Sequence, residues 1–451
     1  MSRLATSYST VRNAIPAGWQ RLSPDARSFA GGTLWLSGGD VLNRGGRFIL
    51  LLLLARQVGA ESYGAWVIAV ATATILANAG DAGLATVVTR EIAADRTLTQ
   101  KYLANLWTVT PLLALLGFGL LLASSPGLVH GTSLLLLLIL GLSGTLESAA
   151  FLLLSPLRAH GRMQPEGLVR AFLGCALLLL GGALVYAGEG RQEAIAPVFP
   201  AVASVSVVIA VIAVLKSFGA VRPAFDLTFL RPLLASALPV FASTVMFFVY
   251  FRIDAFLVAY LKGDEATGLY GAAYNFAFGL AFLPLMFGRA LLPRFAACET
   301  AAALRSLYLR TGAFTAAFAG GLSTLLVLAA PLFLHLYGAD FRGAQAPYLL
   351  LIVAQAFYFF THLNYVVLFA RARSRTAFGL TVLALSVNLA ANFLLIPSLG
   401  ASGAALAMII SEALLLGLQL GTIRTLIKPT PASPALATAL ATTGSVEVRG
   451  A

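Results

Sequence analysis

The run Phe48-Ile-Leu-Leu-Leu-Leu-Leu-Ala55, continued by Arg56-Gln-Val-Gly59-Ala-Glu-Ser-Tyr-Gly64, decides how the whole chain is read. The apolar stretch reaches back to residue 28, which is long enough to cross a bilayer as a helix, and a polar turn bounded by glycines ends it. A second apolar run follows over 64–88, so the unit is a hairpin of two membrane-length helices. The turn returns 204 residues later as Gly263-Asp-Glu-Ala-Thr-Gly268, and Arg90 lands on Arg294 at the same offset. Alanine and leucine matches between apolar helices mean little. Matched Gly, Glu and Arg at one offset point to an internal repeat.

Outward from this hairpin, apolar runs place six spans at 28–54, 64–88, 103–124, 131–153, 168–188 and 195–216. Six more follow at 237–260, 268–292, 312–334, 346–369, 376–397 and 403–426. Composition demands a lipid solvent: of 451 residues 59% are hydrophobic and 11% charged, where a soluble domain carries about 25% charged residues. The mean hydropathy is +0.88. The expected fold is an all-α membrane protein of about 12 transmembrane helices, arranged as two pseudo-symmetric six-helix bundles around a central cavity. Residues 1–27 read as a cytoplasmic N-terminal segment, 28–216 as an N-lobe with helices 1–6, and 217–236 as a cytoplasmic linker. Residues 237–427 read as a C-lobe with helices 7–12, and 428–451, rich in Pro, Ala, Thr and Ser, as a disordered tail. Segment 1–27 has no short apolar core and cleavage site, so it is not a secretory signal and the first span is an uncleaved anchor.

The net charge of +12 is read as topology. With both termini cytoplasmic, the even-numbered loops and the tails hold 22 of the 30 Lys and Arg, and the opposite side holds four, namely Arg56, Arg191, Lys262 and Arg342. A miscounted span would scramble that alternation. No soluble domain exists to carry a nucleic-acid patch. The two cysteines, Cys175 and Cys298, stand apart from any CxxC or Cys/His cluster, so no metal is expected.

The four remaining arginines fall inside spans: Arg44 and Arg47 in the first, Arg252 in the seventh and Arg289 in the eighth. Each costs roughly 2.5–3.5 kcal/mol at the bilayer centre on insertion scales, so each needs a wet cavity or a counter-charge. Arg289 is near a cytoplasmic end and can snorkel. Asp40, Asp81, Glu147, Asp254 and Glu412 are the acids in apolar spans, candidates for ion coupling or for counter-ions. Asp40 lies four residues before Arg44, the spacing of an intrahelical ion pair, which would leave Arg47 unexplained. Spans one, seven and eight open the two halves, so these arginines suggest a cationic cavity between lobes that suits an anion, phosphate above all. Arg90 and Arg294, matched by the repeat, are candidates for a cytoplasmic gate. Tyr358, His362, Asn364 and Asn388 are polar span residues suited to sugar contact. No phosphate-binding GxxxxGK[ST] loop, HExxH or GxSxG motif is present, so neither an ATP-driven engine, an enzyme nor a bound cofactor is expected.

Several of these segments carry a family resemblance. Leu54-Ala-Arg-Gln-Val-Gly-Ala-Glu-Ser-Tyr-Gly-Ala-Trp66, Asp81-Ala-Gly-Leu84 and Thr89-Arg-Glu-Ile92 resemble the opening of oligosaccharide flippases of the Wzx type, with Ala82 in place of a leucine. Phe251-Arg-Ile-Asp254, Gly263-x4-Gly-Leu-Tyr270, Ala273-Tyr274 and Leu292-Pro-Arg294 resemble the block that opens that family's second half. Asn392-Phe-Leu-Leu-Ile-Pro397, Gly400-Ala-Ser-Gly-Ala-Ala405 and Ser411-Glu412 resemble its block at helices eleven and twelve. The resemblance implies the fold of the multidrug/oligosaccharidyl-lipid/polysaccharide (MOP) superfamily. It implies a flippase that turns a polyprenyl-diphosphate-linked oligosaccharide to the outer leaflet of the bacterial cytoplasmic membrane, for O-antigen, capsule or exopolysaccharide assembly. Membrane lipids, a polysaccharide polymerase and chain-length machinery are the implied partners. A cation-coupled multidrug exporter of the same superfamily is the second reading and calls for a cavity dominated by acids. A membrane-embedded glycan polymerase or ligase is the third, and it would need a large extracytoplasmic loop that this chain lacks.

Overall fold

The computed structural model describes residues 24–128, 134–188 and 192–427. The expected cytoplasmic segment 1–27, apart from its last turn, and the expected disordered tail at 428–451 lie outside the described residues. In chain order the helices are α1 (Pro24–Ala79), α2 (Leu84–Ala94), α3 (Thr99–Leu128), α4 (Leu134–Leu153), α5 (Ser155–Ala159), α6 (Gln164–Tyr186), α7 (Gln192–Ile195) and α8 (Val198–Phe218). They continue as α9 (Leu227–Ala277), α10 (Phe282–Ala296), α11 (Ala301–Leu328), α12 (Ala330–Tyr337), α13 (Gln345–Ala370), α14 (Ser374–Leu399) and α15 (Ala401–Ile427). Among the described residues, no strand interrupts them.

Ten helical stretches among the described residues are long and apolar enough to cross a membrane. Two of these, Gly31–Ala94 and Leu227–Ala277, turn a corner at Gly59 and Gly263, and dividing them there, with α10 completing the second arm of the latter, gives the expected twelve crossings. Gly59 has φ 76° and ψ 173°, and Gly263 has φ 81° and ψ −172°. That conformation is open to glycine and strained for any side chain. The offset that matched letters therefore matches backbone geometry as well.

Two expectations change in detail. The runs 64–88 and 268–292 were each expected as one helix, but both are interrupted, at residues 80–83 and 278–281. In the first, the Asp81 carboxylate accepts hydrogen bonds from Gly83 N (3.0 Å) and Ala85 N (2.9 Å), which stop one helix and start the next. The linker expected over 217–236 is non-helical only at 219–226, because Asp226 caps α9 by accepting from Thr228 N (3.0 Å) and Phe229 N (3.1 Å). The Thr228 hydroxyl, and after it the Phe229 N–H, hold the Asp226 carboxyl below its ordinary pKa. The linker is tied to α3, with Ala224 N on Ala104 O (2.9 Å) and Asp226 N on Asn105 Oδ1 (2.9 Å).

By packing, the chain falls into two compact units. The first takes residues up to 275 with 332–347 and 396–404, and so includes the corner of each repeat; the second takes 276–331, 348–395 and the chain from 405. In the first unit, α1 and α6 meet backbone to backbone. Gly32, Gly39 and Gly46 recur every seven residues on α1, as do Gly167, Gly174 and Gly181 on α6. A Cβ on Gly39 would collide with the Gly167 carbonyl, and one on Gly46 with that of Gly174. Small residues at this spacing let membrane helices approach until dispersion and backbone contacts hold them. The paired numbers rise together, so the two helices run parallel, as two odd-numbered spans must.

The two corners also dock on each other within this unit. A Cβ on Gly64 would collide with the Asp264 backbone and one on Gly268 with that of Ala60, while Gly271 faces Val67. Ala60, Gly64 and Val67 are the repeat equivalents of Asp264, Gly268 and Gly271. The contact is self-complementary in the manner of a two-fold interface, with its axis at the Val67–Gly271 pair. In the second unit, Phe295, Leu304, Leu363, Val367, Ala377 and Ile423 form a buried cluster from α10, α11, α13, α14 and α15.

Candidate functional site

Arg47 and Arg252 stand at matching depths. They precede their corner glycines by 12 and 11 residues, or about 18 and 17 Å along a helix at 1.5 Å per residue. Their surroundings differ. Arg47 Nε donates to Asn43 Oδ1 (3.0 Å) on its own helix, and Nη2 donates to Glu147 Oε1 on α4 (2.5 Å). Ser143 Oγ also donates to Glu147 Oε1 (3.3 Å). The Glu147 side chain is 7% exposed and that of Arg47 25% exposed, so the pair is dry on one side and reachable on the other. Arg252 makes no ion pair among the described residues; its guanidinium lies 5.3 Å from the centroid of the Tyr274 ring. That contact attracts a cation without neutralising it.

Asp40 pairs with Arg170 Nη1 on α6 (2.7 Å), a partner that α6 brings against α1 through the glycine contact. Arg170 also meets Glu166 (2.7 Å), and Glu166 meets Arg158 (3.4 Å). Counting Arg170 with the loop cations misplaced it: it is helical and closes a network of two acids and two arginines. Its i,i+4 spacing from Glu166 was the available signal.

The other candidates scatter. Arg44 is exposed on α1, and Arg289 is exposed on α10 with no ion pair among the described residues. Asp81 serves as the cap described above and lines a small cleft with Thr110, Leu113, Thr145 and Ser148. Asp254 is buried and accepts from the Tyr270 hydroxyl (3.0 Å). Glu412 is buried and accepts from Thr361 Oγ1 (2.7 Å). Arg90 is exposed and pairs with Glu91 (2.8 Å), and Arg294 is exposed in the last turn of α10. Of the residues suited to sugar contact, Asn364 accepts from the Tyr308 hydroxyl (2.8 Å), and Asn388 is buried between Ser411 and Asn392. His362 lies beside Gly288, and Tyr358 is buried next to the Phe278 ring. The structure therefore brings together Arg47 with Glu147 and Asp40 with Arg170. Tyr274, a residue the charge reading passed over, is joined to Arg252.

A family model described as "Polysaccharide biosynthesis protein" matches residues 29–299. No curated protein matches the chain in sequence. Among solved structures, an inward-facing multidrug resistance MATE family transporter of the MOP superfamily is similar, with TM-score 0.70 at 14% identity, covering 89% of this chain and 100% of that one. The lipid II flippase MurJ in an inward closed conformation gives 0.70 at 16%, covering 88% and 87%. The Vibrio cholerae MATE transporter VcmN in a bent form gives 0.54 at 17%, covering 88% and 98%. At such identities the likeness is one of fold, and the expected helical membrane architecture is that fold.

Proposed function

The chain belongs to the polysaccharide biosynthesis protein family, a multi-pass membrane transporter of the MOP type, and from that premise we propose that it flips a polyprenyl-diphosphate-linked oligosaccharide. The cargo moves from the cytoplasmic to the outer leaflet of the bacterial cytoplasmic membrane, for surface polysaccharide assembly. Lobes 28–216 and 237–427 alternate access to a cationic path in which Arg44, Arg47, Arg252 and Arg289 meet the diphosphate, and Arg90 and Arg294 stand at the cytoplasmic gate.

The observation that carries this reading is Arg252. A guanidinium about 17 Å below its corner, with the Tyr274 ring against it and no ion pair among the described residues, costs insertion energy that an aromatic face returns only in part. An anionic ligand is what such a group is fitted to receive, and a guanidinium edge matches phosphate oxygens two at a time. A cation-coupled drug exporter is favoured instead by the buried carboxyls of Asp254 and Glu412.

Flipping is measured in liposomes carrying the purified protein and a short-chain, fluorescent polyprenyl-diphosphate disaccharide. Arg252→Ala lowers the rate to about a tenth or less at equal protein incorporation. A rate equal to wild type would remove the basis of the reading. For orientation, a cysteine at Glu265 in a chain lacking Cys175 and Cys298 is labelled by an impermeant maleimide in intact cells, and one at Ser374 only after permeabilisation. The opposite pattern overturns cytoplasmic termini.

A further inference from the structure

We propose that Glu147 is an anion built into the cargo site, competing with the cargo's phosphate for Arg47. The inference rests on the diphosphate reading above and adds how the site lets go of what it binds.

The geometry has three parts. Nη2 of Arg47 is held by Glu147 Oε1 and Nε by Asn43 Oδ1, so the guanidinium is already oriented before any ligand arrives. The Arg47 side chain is one-quarter exposed, so an incoming oxygen can reach it, while the Glu147 side chain is more than nine-tenths buried. Third, the ion pair that Glu147 makes among the described residues is with Arg47. The helices that pack on α4 are α1, α2, α3, α5 and α8. Near Arg47, α1 carries Asp40, which pairs with Arg170, and the exposed Arg44 and Arg56, and its second arm carries Glu61. On α2, Arg90 pairs with Glu91; α3 carries Lys101 in its first turn, α8 carries Lys216 in its last, and Arg158 of α5 pairs with Glu166.

A phosphate that takes Arg47 therefore strands a buried carboxylate. Breaking a buried pair from one side is strongly unfavourable, because the remaining charge has neither water nor partner. The cargo binds Arg47 only against that cost, and the carboxylate recaptures the arginine when the cargo departs. Arg252 has no such competitor, so within one site one arginine holds the cargo and the other limits how tightly it is held.

The test is calorimetric titration of the purified, detergent-solubilised full chain with inorganic pyrophosphate at neutral pH. Glu147→Gln binds about tenfold or more tightly than wild type. The Arg47→Gln/Glu147→Gln double variant loses the gain. Glu147→Asp, whose carboxylate is too short to keep the same contact, gives a smaller gain in the same direction and stands in if the glutamine variant does not fold. Equal or weaker binding by these variants while wild type binds pyrophosphate overturns the inference and leaves the diphosphate reading standing. No binding by wild type or variant overturns both.

Discussion

In the first repeat, Arg47 meets Glu147 at 2.5 Å, and Arg170 meets Asp40 and Glu166 at 2.7 Å each. In the second, Arg252 rests over Tyr274 at 5.3 Å, and Arg289 is exposed without an ion pair among the described residues. Corners of the same backbone geometry therefore support opposite electrostatics. Paired carboxylates make the first set of cations part of the folded core, so removing one member unbalances the rest. An aromatic face leaves the second cation charged to its surroundings, so removing it leaves no buried partner behind. The difference separates arginines already answered by a carboxylate from one that lies against an aromatic ring, which no inspection of the letters alone could do, since all are arginines in apolar helices.

The largest effect that would break this comparison is on folding. Arg170→Ala leaves Glu166 and Asp40 facing each other across α1 and α6 without their shared cation, at a cost of about 3–5 kcal/mol. Little monodisperse protein is expected on size-exclusion chromatography, whereas Arg252→Ala elutes as wild type. If both variants behaved alike, the division into carboxylate-paired and carboxylate-free arginines would fail. A smaller effect sharpens it. Tyr274→Glu gives Arg252 the kind of partner that Arg47 has, so the protein stays folded while liposome flipping drops about tenfold; an unchanged rate would show that compensation does not matter at this position.

Much of the architecture was legible in the sequence. Gly59 and Gly263 could be found as repeated letters because the corner conformation excludes side chains, which ties a backbone fact to a residue type. Twelve crossings were countable because hydropathy sums over about 20 residues and tolerates local error. The interruption at 80–83 was hidden, since an aspartate in an apolar run looks the same whether it caps a helix or faces a cavity. The pairing of Arg47 with Glu147, 100 residues apart, and of Arg170 with Asp40, 130 apart, depends on which helix faces lie together. The glycines at 32, 39, 46 and 167, 174, 181 are plain in the letters, yet their meaning appears only once α1 is seen against α6.

The corner contact has a mechanical consequence. Where Gly64 lies on Asp264 and Gly268 on Ala60, backbone touches backbone and no side chain stands between that could flex or shear. Such a point is a fulcrum with almost no play. A tilt of about 5° of one hairpin over the other leaves it in place, yet carries a group about 18 Å down the helix, such as Arg47, through about 1.5 Å. Half the width of a hydrogen bond at the arginine can thus be gained or lost while the glycines scarcely move.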